Sequence, residues 1–187
     1  MNTNKVKDGF VQALLTNNMA QLVKTFLHWG PEFGDVSLHP NTESCGNHSI
    51  CTRVTNYPTE LVKKLLNDLK SINITKLTFE NLDVVDGDFE NICSYKEEIF
   101  YPLVAKNTAG TWKFILNGNS FQGFVVELCK EKCEEGTFIT TGDYKLDCVQ
   151  KFNYRKMLYL DMENREVAID SFEVPSCCSC GLIKKHN

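Results

Sequence analysis

The chain has 187 residues, 42% of them hydrophobic, and a net charge of −4. That is enough for one modest core; it argues against nucleic acid as a partner, and no window is apolar enough for membrane insertion. Nine cysteines are many for the cytosol at this size and point to an oxidising, extracellular compartment.

Residues 1–30 do not read as a secretion signal, because Asn17, Asn18, Gln21 and Lys24 interrupt any apolar run. A secreted form therefore requires a leader missing from this sequence, or this is an isoform; otherwise the chain stays inside the cell. From Phe10 to Leu27 the apolar residues keep the spacing of one helical face, and Trp29-Gly30-Pro31 ends it. A second helix is expected from Pro58 through Leu61, Val62, Leu65, Leu66 and Leu69 to Ser71. The spacers are polar and broken by Pro31, Gly34, Pro40 and Gly46, so residues 1–76 read as partly helical and loosely ordered.

Cys45 and Cys51 flank Gly46 and most simply close a local disulfide. Asn47-His48-Ser49 and Asn73-Ile74-Thr75 make Asn47 and Asn73 candidate glycosylation sites in a secreted chain. Residues 77–91 carry Glu80, Asp83, Asp86, Asp88 and Glu90 without a basic residue, the pattern of a solvated acidic linker.

Residues 92–187 read as strands. The segments 97–104 and 111–116 are rich in aromatic and β-branched residues, and Asn117-Gly118 predicts a hairpin into 121–128. Residues 152–162 and 165–174 form a second such pair around Glu163-Asn164. On the first of these, Tyr154, Lys156, Leu158 and Leu160 share one face, opposite Arg155, Met157, Tyr159 and Asp161. Neither face is consistently apolar, which predicts thin ribbons with little core, in need of covalent staples.

Cysteine spacing offers the staples. On an extended strand Cys178 and Cys180 point one way and Cys177 the other. Pairing Cys129 with Cys178 and Cys133 with Cys180 closes a ring of eight residues, through which a Cys93–Cys148 bridge could pass. Six cysteines allow fifteen connectivities, so the pairing stays open. Each such bridge would stabilise by about 4 kcal/mol on the chain-entropy account. Cys177 is then the odd thiol, suited to an interchain disulfide across a two-fold axis.

These residues resemble the Spätzle family, secreted ligands of the insect Toll receptor with a nerve growth factor-like cystine-knot fold. The resemblance is carried by Ile92-Cys93 leading to Tyr101-Pro102, by Thr111-Trp112-Lys113-Phe114-Ile115-Leu116-Asn117, by Val126-Glu127-Leu128-Cys129, and by Cys148 followed by Tyr154. Its most specific segment is Ser171-Phe172-Glu173-Val174-Pro175-Ser176-Cys177-Cys178-Ser179-Cys180, and Cys45, Cys51 and Tyr57-Pro58 echo the family's pro-region.

The resemblance implies a small, disulfide-rich all-β cytokine of extended hairpins, made as an inactive precursor. Residues 1–76 would be the pro-region, 77–91 the linker and 92–187 the cystine-knot domain. A serine protease would cut between them, and the disulfide-linked homodimer would engage the leucine-rich Toll ectodomain in immune or developmental signalling. The linker has no arginine, so Lys76 and Lys70 are the candidate cleavage residues. Trp112, beside the loop 107–110, is a candidate receptor contact.

Two other readings exist. In a reducing compartment Cys129, Cys133, Cys178 and Cys180 could bind a structural zinc ion, and a coagulogen-like clotting protein would use a similar knot. His28, His39, His48 and His186 are scattered without a nucleophile, so neither an enzyme nor a cofactor is expected.

Overall fold

The computed structural model describes residues 27–34, 37–46, 48–71, 74, 77–78, 93–118, 120–133 and 143–184. Their elements run β1 (Ile50–Cys51), α1 (Thr59–Ser71), β2 (Leu77–Thr78), β3 (Cys93–Phe100), β4 (Val104–Lys106), β5 (Trp112–Ile115), β6 (Gln122–Cys133), β7 (Tyr144–Asp161) and β8 (Glu166–Lys184). One sheet has the order β1-β4-β5-β7-β8, the other β2-β6-β3. The chain is mostly antiparallel β with disulfides, the fold class its cysteines and strand patterns imply.

By contacts the described residues divide into two compact units. The first draws on the residues up to 78 and on 101–124 and 154–173, the second on 93–100 and on residues within 125–153 and 174–184.

In the first unit α1 begins directly after Pro58, whose carbonyl accepts the Val62 N–H at 3.0 Å. Its apolar side chains recur at helical spacing, so Leu61, Val62, Leu65 and Leu69 turn to one face and are buried. Lys63–Glu60 at 2.7 Å and Lys64–Asp68 at 3.5 Å decorate the solvent side and contribute only a few tenths of a kcal/mol. The last turn is closed by the Ser71 hydroxyl donating to Asp68 O and by Ile74 N–H donating to Leu69 O.

The apolar face of α1 lies on Val104, Phe114, Leu116, Phe121, Leu158 and Leu160, and Leu27, Trp29, Cys45 and Cys51 join the same core. Cross-strand register explains which residues share it. Val104 lies opposite Phe114, and Phe114 opposite Leu160, so all three point to the helix side. Gly118 permits the close approach, since a Cβ there would meet Leu66 Cδ1 at 2.9 Å.

Two sequence expectations change here. The described part of the N-terminal segment is packed, not loose, because its apolar residues finish the core that the ribbons alone lack. The end of β7 is buried on both faces, with Met157, Leu158 and Leu160 each 2% exposed or less, while Phe152 and Tyr154 earlier in the strand stay exposed.

The segment also supplies both edges of the five-stranded sheet. β1 pairs with β4, Ile50 opposite Ala105, while His28 bridges Glu166 of β8 and Val167 N–H donates to Leu27 O at 2.9 Å.

The hairpin expected at Asn117-Gly118 is not formed, because β5 and β6 belong to different sheets. Asn117 instead turns inward. Its amide donates to Pro102 O at 3.1 Å and to Gln122 O at 2.7 Å, and its Oδ1 accepts the Gln122 N–H at 3.1 Å. The turn between β7 and β8 does form around Glu163-Asn164, with Asp161 Oδ1 accepting both their N–H groups. At the start of the acidic stretch, β2 pairs in parallel with Gln122 and Gly123 of β6. The expected helix over 10–27, apart from Leu27, and Asn47, Asn73, Lys76 and the rest of the linker lie outside the described residues.

Candidate disulfide core and dimerisation site

The second unit gathers the cysteines. β8 alternates its side chains, so Cys178 and Cys180 face the same way and both enter disulfides, while Cys177 faces away and is exposed. Cys178 joins Cys129 of β6 across a Cα separation of 5.4 Å. Cys180 joins Cys93 of β3 at 6.0 Å, not Cys133. Cys148 of β7 is not the partner of Cys93 here, but its sulfur lies within 4.8 Å of those of Cys93 and Cys180.

The difference has a physical reason. Alternation decides which face a cysteine occupies, but it does not choose among three sulfurs that converge on one place. Cys133 ends β6, and its side chain is outside the described residues. In the first unit Cys45 and Cys51 are joined, with Cα atoms 5.2 Å apart.

This arrangement bears on the zinc reading. Cys129, Cys178 and Cys180 are engaged in disulfides, and a disulfide sulfur is not the thiolate that zinc takes. The set Cys129, Cys133, Cys178, Cys180 therefore offers no four-thiolate site in this state.

Gln150, which the sequence reading did not single out, organises the backbone around these cysteines. Its Oε1 accepts the Cys129 N–H at 3.0 Å, and its Nε2 donates to Glu127 O at 2.9 Å and Cys177 O at 3.2 Å. One β7 side chain thus ties β6 to β8 beside the exposed Cys177. A half-buried glutamine on a strand carries no signal in sequence that could have identified it.

Trp112 lies in the first unit at the start of β5, half-buried against the core, with Lys106 Nζ 5.3 Å from its ring centre. It has the placement of a core cover that stays partly exposed. Lys70 sits in the last turn of α1, next to the fully buried Leu69. Among the described residues no helix is long and apolar enough to cross a membrane.

A family model described as Spaetzle matches residues 90–182. The chain is 30% identical to Neurotrophin 1 of Drosophila melanogaster over 115 residues, 61% of this chain and 12% of that protein. It is 26% identical to Protein spaetzle of the same organism over 148 residues, 75% of this chain and 45% of that protein. The chain thus spans less than half the length of either relative. It is also similar to the crystal structure of the spatzle cystine knot, at 18% identity and a TM-score of 0.31, over 54% of this chain and 100% of that one. With a Spaetzle domain over residues 90–182, the chain belongs to the Spaetzle family.

Proposed function

We propose that this chain is a secreted cytokine precursor whose C-terminal domain acts, after proteolysis, as a disulfide-linked homodimer on the leucine-rich ectodomain of a Toll receptor. Residues 1–76 are the pro-region, 77–91 the linker and 92–187 the signalling domain. The observation that carries the reading is the Spaetzle match over residues 90–182, together with a β8 strand that commits two cysteines inward and leaves Cys177 exposed.

Cys177 is the interchain cysteine, bonding to its counterpart in a second copy across a two-fold axis. The N-terminal segment covers the apolar side of β4, β5 and β7, which supports an inactive precursor. Trp112 is the candidate receptor contact, since it is a large aromatic that stays partly exposed at the start of β5.

The test is a cell line carrying a Toll receptor and a pathway reporter. Processed dimer should switch the reporter on, and unprocessed chain should leave it near baseline. No response to a folded, processed dimer across the available Toll receptors would remove the reading.

A further inference from the structure

Leu38 is 58% exposed, a large apolar side chain that the core leaves in water. It lines a cavity of about 350 Å³ within the first unit. That volume falls in the range of roughly 300–1,000 Å³ typical of small-molecule sites.

Two segments build the cavity. Trp29, Gly34 and Leu38 come from the N-terminal segment, and Met162 and Arg165 come from the turn between β7 and β8. Backbone bonds hold the segments together: Arg165 O accepts the Trp29 N–H at 3.2 Å, and Leu27 O accepts the Val167 N–H at 2.9 Å. The chain then bends through the short turn Pro31–Phe33, closed by Gly34 N–H on Pro31 O at 3.0 Å, with Gly34 at φ 60°. Trp29 and Met162 are also members of the buried core, so the apolar walls are fixed in place.

The polar character of the cavity comes down to one side chain. Gly30 N–H donates to Glu32 Oε1 at 3.2 Å, and the Ser37 hydroxyl donates to His39 O at 2.8 Å, so both of these lining donors are spent. Arg165 is the charged residue of the lining; Glu32, Glu163 and Glu166 are not part of it. Glu32 is near enough to feel Arg165, but that attraction is the smallest of the influences on its carboxyl group. Arg165 is exposed and sits at φ 54°, a left-handed conformation that an arginine adopts only at a cost. Its planar N–H fork matches a carboxylate, which it can bind through two parallel hydrogen bonds.

We propose that this cavity binds a small apolar monocarboxylate, with the carboxylate on the Arg165 guanidinium and the hydrocarbon body against Trp29, Leu38 and Met162. Charge complementarity selects the class. A phosphate group would need more donors than one side chain supplies, and an uncharged hydrocarbon would leave the guanidinium unused. Burying the body also takes Leu38 out of water. Because both segments line the site, a bound ligand stabilises the N-terminal segment on the β7–β8 turn by mass action. The site is complete only while the two stay together, and it does not depend on the receptor reading.

The probe is decanoate, titrated below its micelle-forming concentration into the full-length, disulfide-intact chain carrying Trp112→Phe, so that Trp29 is the remaining indole. Trp29 fluorescence and titration calorimetry should show saturable binding with one ligand per chain. Affinity should fall at least about tenfold for decanol in place of decanoate and for Arg165→Gln. Leu38→Asp, which sets a negative charge in the lining at an exposed position, should weaken decanoate as well. If Arg165→Gln does not fold, Leu38→Asp and the decanol comparison decide. Uptake that does not saturate, equal affinity for decanol and decanoate, or unchanged affinity in folded Arg165→Gln overturns the site. No binding, with a Trp29 signal that changes instead with protein concentration, assigns the cavity to a second copy and overturns it too.

Discussion

The Tyr57 hydroxyl meets both backbone polar groups of Asn117, accepting its N–H at 3.0 Å and lying 2.6 Å from its carbonyl oxygen, with Ile115 O at 2.7 Å sharing the proton. The chain two residues before α1 is thereby fastened to the turn that leaves β5. The ring completes the join, meeting Phe114 edge-on at 6.1 Å. Replacing Tyr57 with Phe keeps the ring and strands these backbone groups. The expected cost is about 1–3 kcal/mol, read from urea unfolding midpoints; an unchanged midpoint would show the bonds to be energetically silent.

The same hydroxyl sets a pH dependence. Burial holds the Tyr57 phenol well above its ordinary value of 10, and burial followed by Asp161, Asp170, Glu166 and Glu163 pushes Tyr159 up to about 12. A folded-state pKa above the unfolded one means that the native state holds its proton more tightly. Stability is then fully present below pH 10 and is lost as pH rises past it toward the folded-state values. Thermal melts between pH 8 and 11 should fall in their upper range, less steeply in Tyr57→Phe.

Leu65 of α1 is fully buried in the core shared with Phe114 and Leu158. Leu65→Ala should cost about 2–5 kcal/mol. Because N-terminal and C-terminal residues share that core, amide exchange should accelerate together in α1 and in β5. Acceleration confined to α1 would show that the helix is an appendage.

Gln122 is fully buried and bonded on every side, its amide donating to Leu116 O and Leu158 O and its Oε1 accepting Leu158 N–H. Gln122→Leu preserves most of the volume but orphans these groups. It should destabilise by at least about 2 kcal/mol, measured by denaturant unfolding; a neutral result would mean that water takes over the bonds.

What was legible in the sequence was local. Pro58 and the spacing of Leu61, Leu65 and Leu69 announced α1, and strand alternation sorted Cys177 from Cys178 and Cys180, because both depend on neighbours within a few residues. What was not legible was long-range. Asn117-Gly118 looks like a hairpin turn until Gln122 is seen to draw the chain into another sheet. Leu158 and Leu160 look like a bare ribbon until a helix nearly a hundred residues earlier covers them. The choice between Cys148 and Cys180 for Cys93 depends on where three distant strands converge, and spacing carries no record of that.

Cys177 is exposed while its neighbours Cys178 and Cys180 are bonded. Cys177→Ser should therefore leave folding intact and abolish the covalent dimer on a non-reducing gel. A dimer that persists assigns the interchain bond to another cysteine.

The most direct measurement is equilibrium binding of the processed chain to a Toll ectodomain, with wild type and Cys177→Ser compared side by side. The account predicts saturable binding by the disulfide-linked dimer and binding at least about tenfold weaker by the unlinked variant, as expected when two linked sites engage together. Absence of binding by a folded, processed, disulfide-linked dimer would contradict it.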